Sequence, residues 1–225
     1  MPMSAARDAF LAALRHVVTA LHEELPVDTR DDWATRVHAL LDEGPDTSSL
    51  RAVHVWHSAT ILPLLNEAAQ DGDSGVFTAL GELHAEAAGG RRADQDTWRS
   101  ALTPVLLRLY DAAYDRTSAY AEAHAGARDY ALGKGFSAPE ADGYGHEYAR
   151  LSTDASAQSC AEAHAEALGH ALARAYATDG CEAYADTCPG AQLRAVVRAT
   201  TERADPLPAA RLAEGLLSAL APPWP

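Results

Sequence analysis

Tyr120-Ala-Glu-Ala-His124-Ala-Gly-Ala…Ala131-Leu132-Gly-Lys-Gly-Phe136 returns forty residues later as Cys160-Ala-Glu-Ala-His164-Ala-Glu-Ala…Ala171-Leu172-Ala-Arg-Ala-Tyr176. A repeat of this kind reads as one supersecondary unit stacked on a copy of itself. Both copies are alanine-rich and lack the period-two alternation of strands, so each reads as helix. The link between them is Gly133-Lys-Gly-Phe-Ser, followed by a Ser137-x-x-Glu140 capping box with Pro139 in the first helical turn. So short a connector favours an antiparallel hairpin. The two copies then lie on neighbouring antiparallel helices, with His124 much nearer the turn than His164.

Helical spacing continues to either side. The first helix is expected from Ser4 to about Glu24, with Phe10, Leu14 and Leu21 inward and Pro26 as its stop. A second runs from Thr29 to Glu43, ended by Gly44-Pro45. A third starts near Asp46 and runs toward Ala69, kinked or broken at Pro63. Asp71-Gly-Asp-Ser-Gly is a turn, and Ser74 to Ala88 is a fourth helix closed by Gly89-Gly90. A long fifth helix is expected from a cap at Asp94 to Leu132, with Pro104 either bending it or marking a later start, and a sixth from Ser137 to Thr178, interrupted at Gly143-Tyr-Gly145. Helices near 192–203 and 208–220 complete the pattern. The fold expectation is therefore all-α: a multi-helix bundle with a long antiparallel hairpin carrying the 40-residue repeat. It forms a single domain over 1–220, divisible at about residue 90, with 221–225 as a flexible tail.

The chain has 225 residues and a formal charge of −14. That charge opposes nucleic-acid binding, which needs a basic footprint to displace counterions, and it opposes an anionic membrane surface. No apolar run approaches the roughly 20 residues of a spanning helix. No secretory leader is evident in Met-Pro-Met-Ser, and three cysteines do not suggest a disulfide framework, so the expected location is the cytoplasm. Lys134 is the only lysine against seventeen arginines and alanine is the commonest residue, a composition that resembles high-GC bacterial coding.

Signature motifs of phosphate loops, zinc proteases, serine hydrolases and dinucleotide folds are missing. The remaining chemistry lies in histidines and tyrosines. His54 and His57 share a face at i,i+3 spacing beside Leu50, Ile61 and Leu64, and two polar rings on a core stripe are costly to bury. In the second copy the i,i+4 row Cys160, His164, Leu168, Leu172, Tyr176 places His164 among core residues. In the first the row is Tyr120, His124, Arg128, Leu132. The Glu-Ala-His spacing puts Glu122 and Glu162 on the opposite face from their histidines. Cys160, His164, Cys181 and Cys188 could form a zinc set, although the Cys181-x6-Cys188 gap is unlike a zinc knuckle.

Two functions follow. The first is a non-catalytic interaction or regulatory protein, with a protein partner or self-association as a homodimer. The alternative is a small-molecule- or metal-binding helical enzyme. Its site would gather His54, His57, Tyr120, His124, His164 and Tyr176, and its metal, a transition ion, would sit on His54, His57, His124 and His164.

Overall fold

A computed structural model describes residues 2–43, 49–69, 74–201 and 208–221; of these, the side chains of 2–6, 43 and 74 are not described. The expected Gly44-Pro45 stop, the Asp46 start, the turn at 71–73 and the tail beyond residue 221 lie outside the described residues. Within them every element is helical: α1 Pro2–Glu24, α2 Arg30–Glu43, α3 Arg51–Trp56, a π-helical turn His57–Ile61, α4 Leu62–Ala68, α5 Ser74–Ala88, α6 Gln95–Ala112, α7 Arg116–Gly133, α8 Ala138–Thr178, α9 Cys181–Ala185, α10 Pro189–Thr201 and α11 Pro208–Leu220. The molecule is an all-α bundle of helices packed on one another.

Large apolar side chains build one core. Phe10, Leu21, Trp33, Leu64, Trp98 and Leu212 are all almost wholly buried in it. The indoles of Trp33 and Trp56 donate to the carbonyls of Ala213 (2.9 Å) and Leu212 (3.0 Å), which fixes α11 against α2 and α3. Gly215 of α11 comes so close to the π turn that a Cβ there would fall 2.2 Å from Thr60 Oγ1.

Pro63 accounts for that turn. It has no N–H to offer the carbonyl of Ala59, four residues back, and its ring crowds that carbonyl. The helix answers by widening over His57–Ile61, then continues as α4. The sequence suggested a kink or break at Pro63; the chain is widened instead.

The expected fifth helix divides in two, and the division is not at Pro104, which sits inside α6. The break falls at 113–115. Asp115 caps α7 by accepting from Ser118 N at 3.1 Å, and Arg116 donates to the Asp111 carbonyl and carboxylate at 2.6 and 2.7 Å. A good cap beside a clamp of this kind favours a new helix start over continuation. Conversely α8 runs unbroken through Gly143 and Gly145. The Glu140 carboxylate accepts from both the N–H and the Oγ of Ser137 at its start (2.9 and 2.7 Å).

α6 and α7 both run antiparallel to α8. Trp98 meets Tyr176 and Tyr110 meets His164, while Tyr120 meets His146 and His124 meets Asp142. The buried face of α8 is a row of small residues at every fourth position from Ala141 to Ala173, including Gly145, Thr153, Ala165 and Gly169. This is an i±4 ridge, along which helices pack closely when the side chains are small. It corrects the row inferred from sequence. His164 is exposed, with its ring stacked on Tyr110 at 4.1 Å, because Ala165, not His164, occupies the contact line. The apolar core also stops short: it contains no residue between Tyr110 and Ala165. The pair formed by α7 and the first half of α8 has a seam of small residues, bridged by polar contacts such as Tyr120–His146 and His124–Asp142.

The two copies of the repeat therefore have different surroundings. The first packs against the start of α8, and the second packs against α6 within the body.

Candidate functional site

Three histidines meet inside the body. His54 comes from α3, His57 from the start of the π turn and His84 from α5, where Phe77, Leu80 and His84 share the buried face. Nδ1 of His54 lies 2.9 Å from Nδ1 of His84. His57 donates its Nδ1–H to the Val53 carbonyl at 2.8 Å and stacks on His84, ring centres 4.7 Å apart and 14° from parallel. Trp98 stacks on His54 at 5.5 Å, and the Tyr176 ring stands edge-on to His54 and His84 at 5.1 and 5.0 Å. His54 and His84 are almost wholly inaccessible, as are Trp98 and Tyr176.

Burial governs the chemistry of this cluster. Desolvation lowers the His54 pKa to about 3, helped by His57, and lowers that of His57 to about 4 against the opposing hydrogen bond to Val53. It also takes His84 well below the ordinary histidine range, and drives the Tyr176 phenol well above its own. All three imidazoles are neutral at pH 7. A base this weak is poorly matched to proton abstraction near neutrality. What the cluster offers is hydrogen bonding: Nε2 of His84 and the indole N–H of Trp98 are buried with no hydrogen-bond partner. Nor do the rings aim at one point. Parallel imidazoles hold their in-plane lone pairs side by side, and His57 has already committed one nitrogen to the backbone.

A cleft of about 460 Å³ opens beside the cluster. His54, Trp98 and Tyr176 form part of its lining, the end of α5 and the loop after it, from Ala87 to Ala93, form another wall, and Arg51, Arg91 and Arg92 line it with a single carboxylate, Asp179. Asp179 closes α8 in the left-handed conformation (φ 52°) and accepts the N–H of Leu50 at 2.6 Å, so the end of α8 caps the helix that carries His54. Gly90, with φ 87°, permits the turn that presents Arg91 and Arg92. Arg91 is partly engaged, donating to Glu86 at 2.7 Å.

The six residues singled out in the sequence thus fall in three places. His54, His57 and Tyr176 converge in the body. Tyr120 and His124 face each other's neighbours on the α7–α8 pair, together with Asp142 and His146. His164 is alone with Tyr110 and Cys160 on the surface. The expected four-histidine metal sphere of His54, His57, His124 and His164 does not form, because they lie on different pairs of helices. Among the described residues, Cys160, Cys181, Cys188 and His164 do not bring three donor atoms together either. Sequence reasoning missed His84 and Trp98, although His84 stands at i+7 from Phe77 on an apolar stripe.

In comparison with known proteins, the chain matches no family model, and neither a curated protein nor a solved structure matches it significantly.

Proposed function

We propose that this chain is a non-catalytic ligand-binding helical protein whose site is the cleft beside His54, Trp98 and Tyr176, and whose ligand is a small organic anion. The observation that carries this reading is the inversion of charge at the cleft. Arg51, Arg91 and Arg92 line it with one carboxylate, Asp179, and Arg91 is paired with Glu86, so three guanidinium groups face two carboxylates in a chain of net charge −14. The volume falls within the range of small-molecule pockets, roughly 300–1,000 Å³. Guanidinium forks favour carboxylate or phosphate oxygens. The test is calorimetric titration with phenyl phosphate and benzoate, with benzyl alcohol as the neutral analogue. Binding of the anions alone, weakened by about tenfold or more in Arg51→Ala and Arg92→Ala, supports the reading. Equal binding of the neutral analogue, or no binding of either anion at millimolar concentration, removes it.

The second reading, a protein-interaction role, is favoured by one observation. Tyr130, Phe136, Tyr144, Tyr148 and Leu151 are each about half exposed, and the rings of Tyr130, Phe136 and Tyr148 each lie 6.4–6.5 Å from that of Tyr144 at the end of the α7–α8 pair. Exposed apolar groups in contact with one another mark interaction surfaces more often than isolated ones. Sedimentation velocity on the wild type and on the Tyr144→Ser, Tyr148→Ser double variant tests self-association through this surface. A concentration-dependent dimer lost in the variant favours it, and a wild-type monomer at every concentration counts against it.

A further inference from the structure

We infer that His124, Asp142 and His146 form a binding site for a single divalent transition-metal ion of the zinc type, which clasps α7 to α8. The donors come from both helices. Asp142 and His146 are one turn apart on α8, and His124 faces them from α7. One donor atom from each lies within 4.8 Å of the other two.

The spacings suit one ion. Nε2 of His124 is 3.3 Å from Asp142 Oδ1, and Nε2 of His146 is 3.5 Å from Asp142 Oδ2. Metal–ligand bonds of about 2.0–2.1 Å at tetrahedral angles place neighbouring ligand atoms about 3.3 Å apart. The two rings are tilted 39° to each other with centres 4.3 Å apart, so they are not locked face to face as His57 and His84 are.

Three further features favour a ligand site, beside the ion pair that Arg128 Nε makes with Asp142 Oδ1 at 3.8 Å. Nε2 of His124 is buried and makes no hydrogen bond despite the nearby carboxylate. The Tyr120 hydroxyl is 2.8 Å from Nδ1 of His146, which leaves Nε2 of that ring turned toward Asp142. Metal-bound histidines commonly use their second nitrogen in this way. Gly145 makes the approach possible: a Cβ there would lie 3.0 Å from both Cδ2 and the carbonyl of His124. Two imidazoles and a carboxylate are a donor set for zinc or iron, and the exposed side of Asp142 and His146 leaves room for water in the remaining positions. The seam between α7 and α8 buries only small residues, so an ion bridging the two helices would contribute much of their cohesion.

The experiment uses the full, untagged chain after chelator treatment, titrated with ZnCl2 by calorimetry and with CoCl2 by visible absorption. The expected result is one ion per chain, a four-coordinate cobalt spectrum, and slower amide exchange in α7 once zinc is added. Asp142→Asn and His146→Ala should weaken zinc by more than the roughly 10- to 100-fold typical of losing an outer-shell partner, and Tyr120→Phe by about that amount. Gly145→Ala keeps every ligand but should weaken binding by displacing His124, with helix content by circular dichroism unchanged. His164→Ala should bind as the wild type does. The inference is overturned by the absence of stoichiometric binding, by affinity indifferent to Asp142→Asn and His146→Ala, or by a six-coordinate aquo-cobalt spectrum.

Discussion

Nδ1 of His54 and Nδ1 of His84 share one hydrogen bond, 2.9 Å long and sealed from solvent, so one ring must donate and the other accept. A proton on the accepting ring leaves two donors facing each other, and a proton on the donating ring places a charge in a site that cannot hydrate it. The same burial acts on His57, stacked beside them.

Acid should therefore unfold this protein through its histidines. Their folded-state pKa values, about 3 for His54, about 4 for His57 and lower than usual for His84, lie below the unfolded value of 6.5. The unfolded chain binds more protons in that interval, so the stabilisation is intact above pH 6.5 and is lost as pH falls toward 4. Each such proton costs about 1.4 kcal/mol per pH unit. Urea unfolding at pH 7.5, 6.5, 5.5 and 4.5 measures it. Constant stability from pH 7.5 to 5 would contradict a neutral buried cluster.

Gly215→Ala should destabilise the fold by about 1–3 kcal/mol, since the new Cβ would overlap the Thr60 side chain at 2.2–2.8 Å. Combining it with Thr60→Ala should recover only part of the loss, because Thr60 Cβ is itself 2.8 Å from the added atom. Thermal denaturation of both variants decides this.

The face of α8 is testable at two adjacent residues. Ala165→Leu should cost about 1–3 kcal/mol by forcing bulk into the small-residue row, whereas His164→Ala should stay within about 0.5 kcal/mol. If the order is reversed in chemical denaturation, the helix is rotated from the arrangement described.

Asp179→Ala removes the carboxylate that accepts Leu50 N–H and should cost about 0.5–2 kcal/mol, the usual worth of a cap. Asp179→Asn should cost less, because its amide oxygen can still accept and asparagine tolerates the left-handed backbone. Near-ultraviolet circular dichroism should show a change at Trp98 in the alanine variant, since the cap holds the helix beneath it.

The helices were legible where period and punctuation agree. Ser74 to Ala88 and Pro208 to Leu220 follow directly from their apolar spacing and terminators. The alanine-rich helices gave less. When nearly every face carries alanine, hydrophobic contrast vanishes, and the packing face is chosen by how closely backbones can approach, which period alone does not register. His164 was misplaced for that reason. His54 and His57 were recognisable because polar rings stood on a stripe of large residues. His84 lies far in sequence from His54 and His57, as His124 does from Asp142 and His146, and only the packing of α3 on α5 and of α7 on α8 brings them together.

The stacking of Tyr110 on His164 marks where the chain leaves the body and where it comes back. Departure and return are a ring's thickness apart, and the apolar core takes nothing from the residues between them. In topological terms the stretch 111–163 is an excursion that adds no residue to the apolar core. A shortened chain that rejoins α6 to the second half of α8 through a tight turn should keep the histidine cluster and its cleft. The excised segment would take away the tyrosine-rich end and the His124–Asp142–His146 group together. The two candidate activities would then reside in separable parts of one polypeptide, free to change independently.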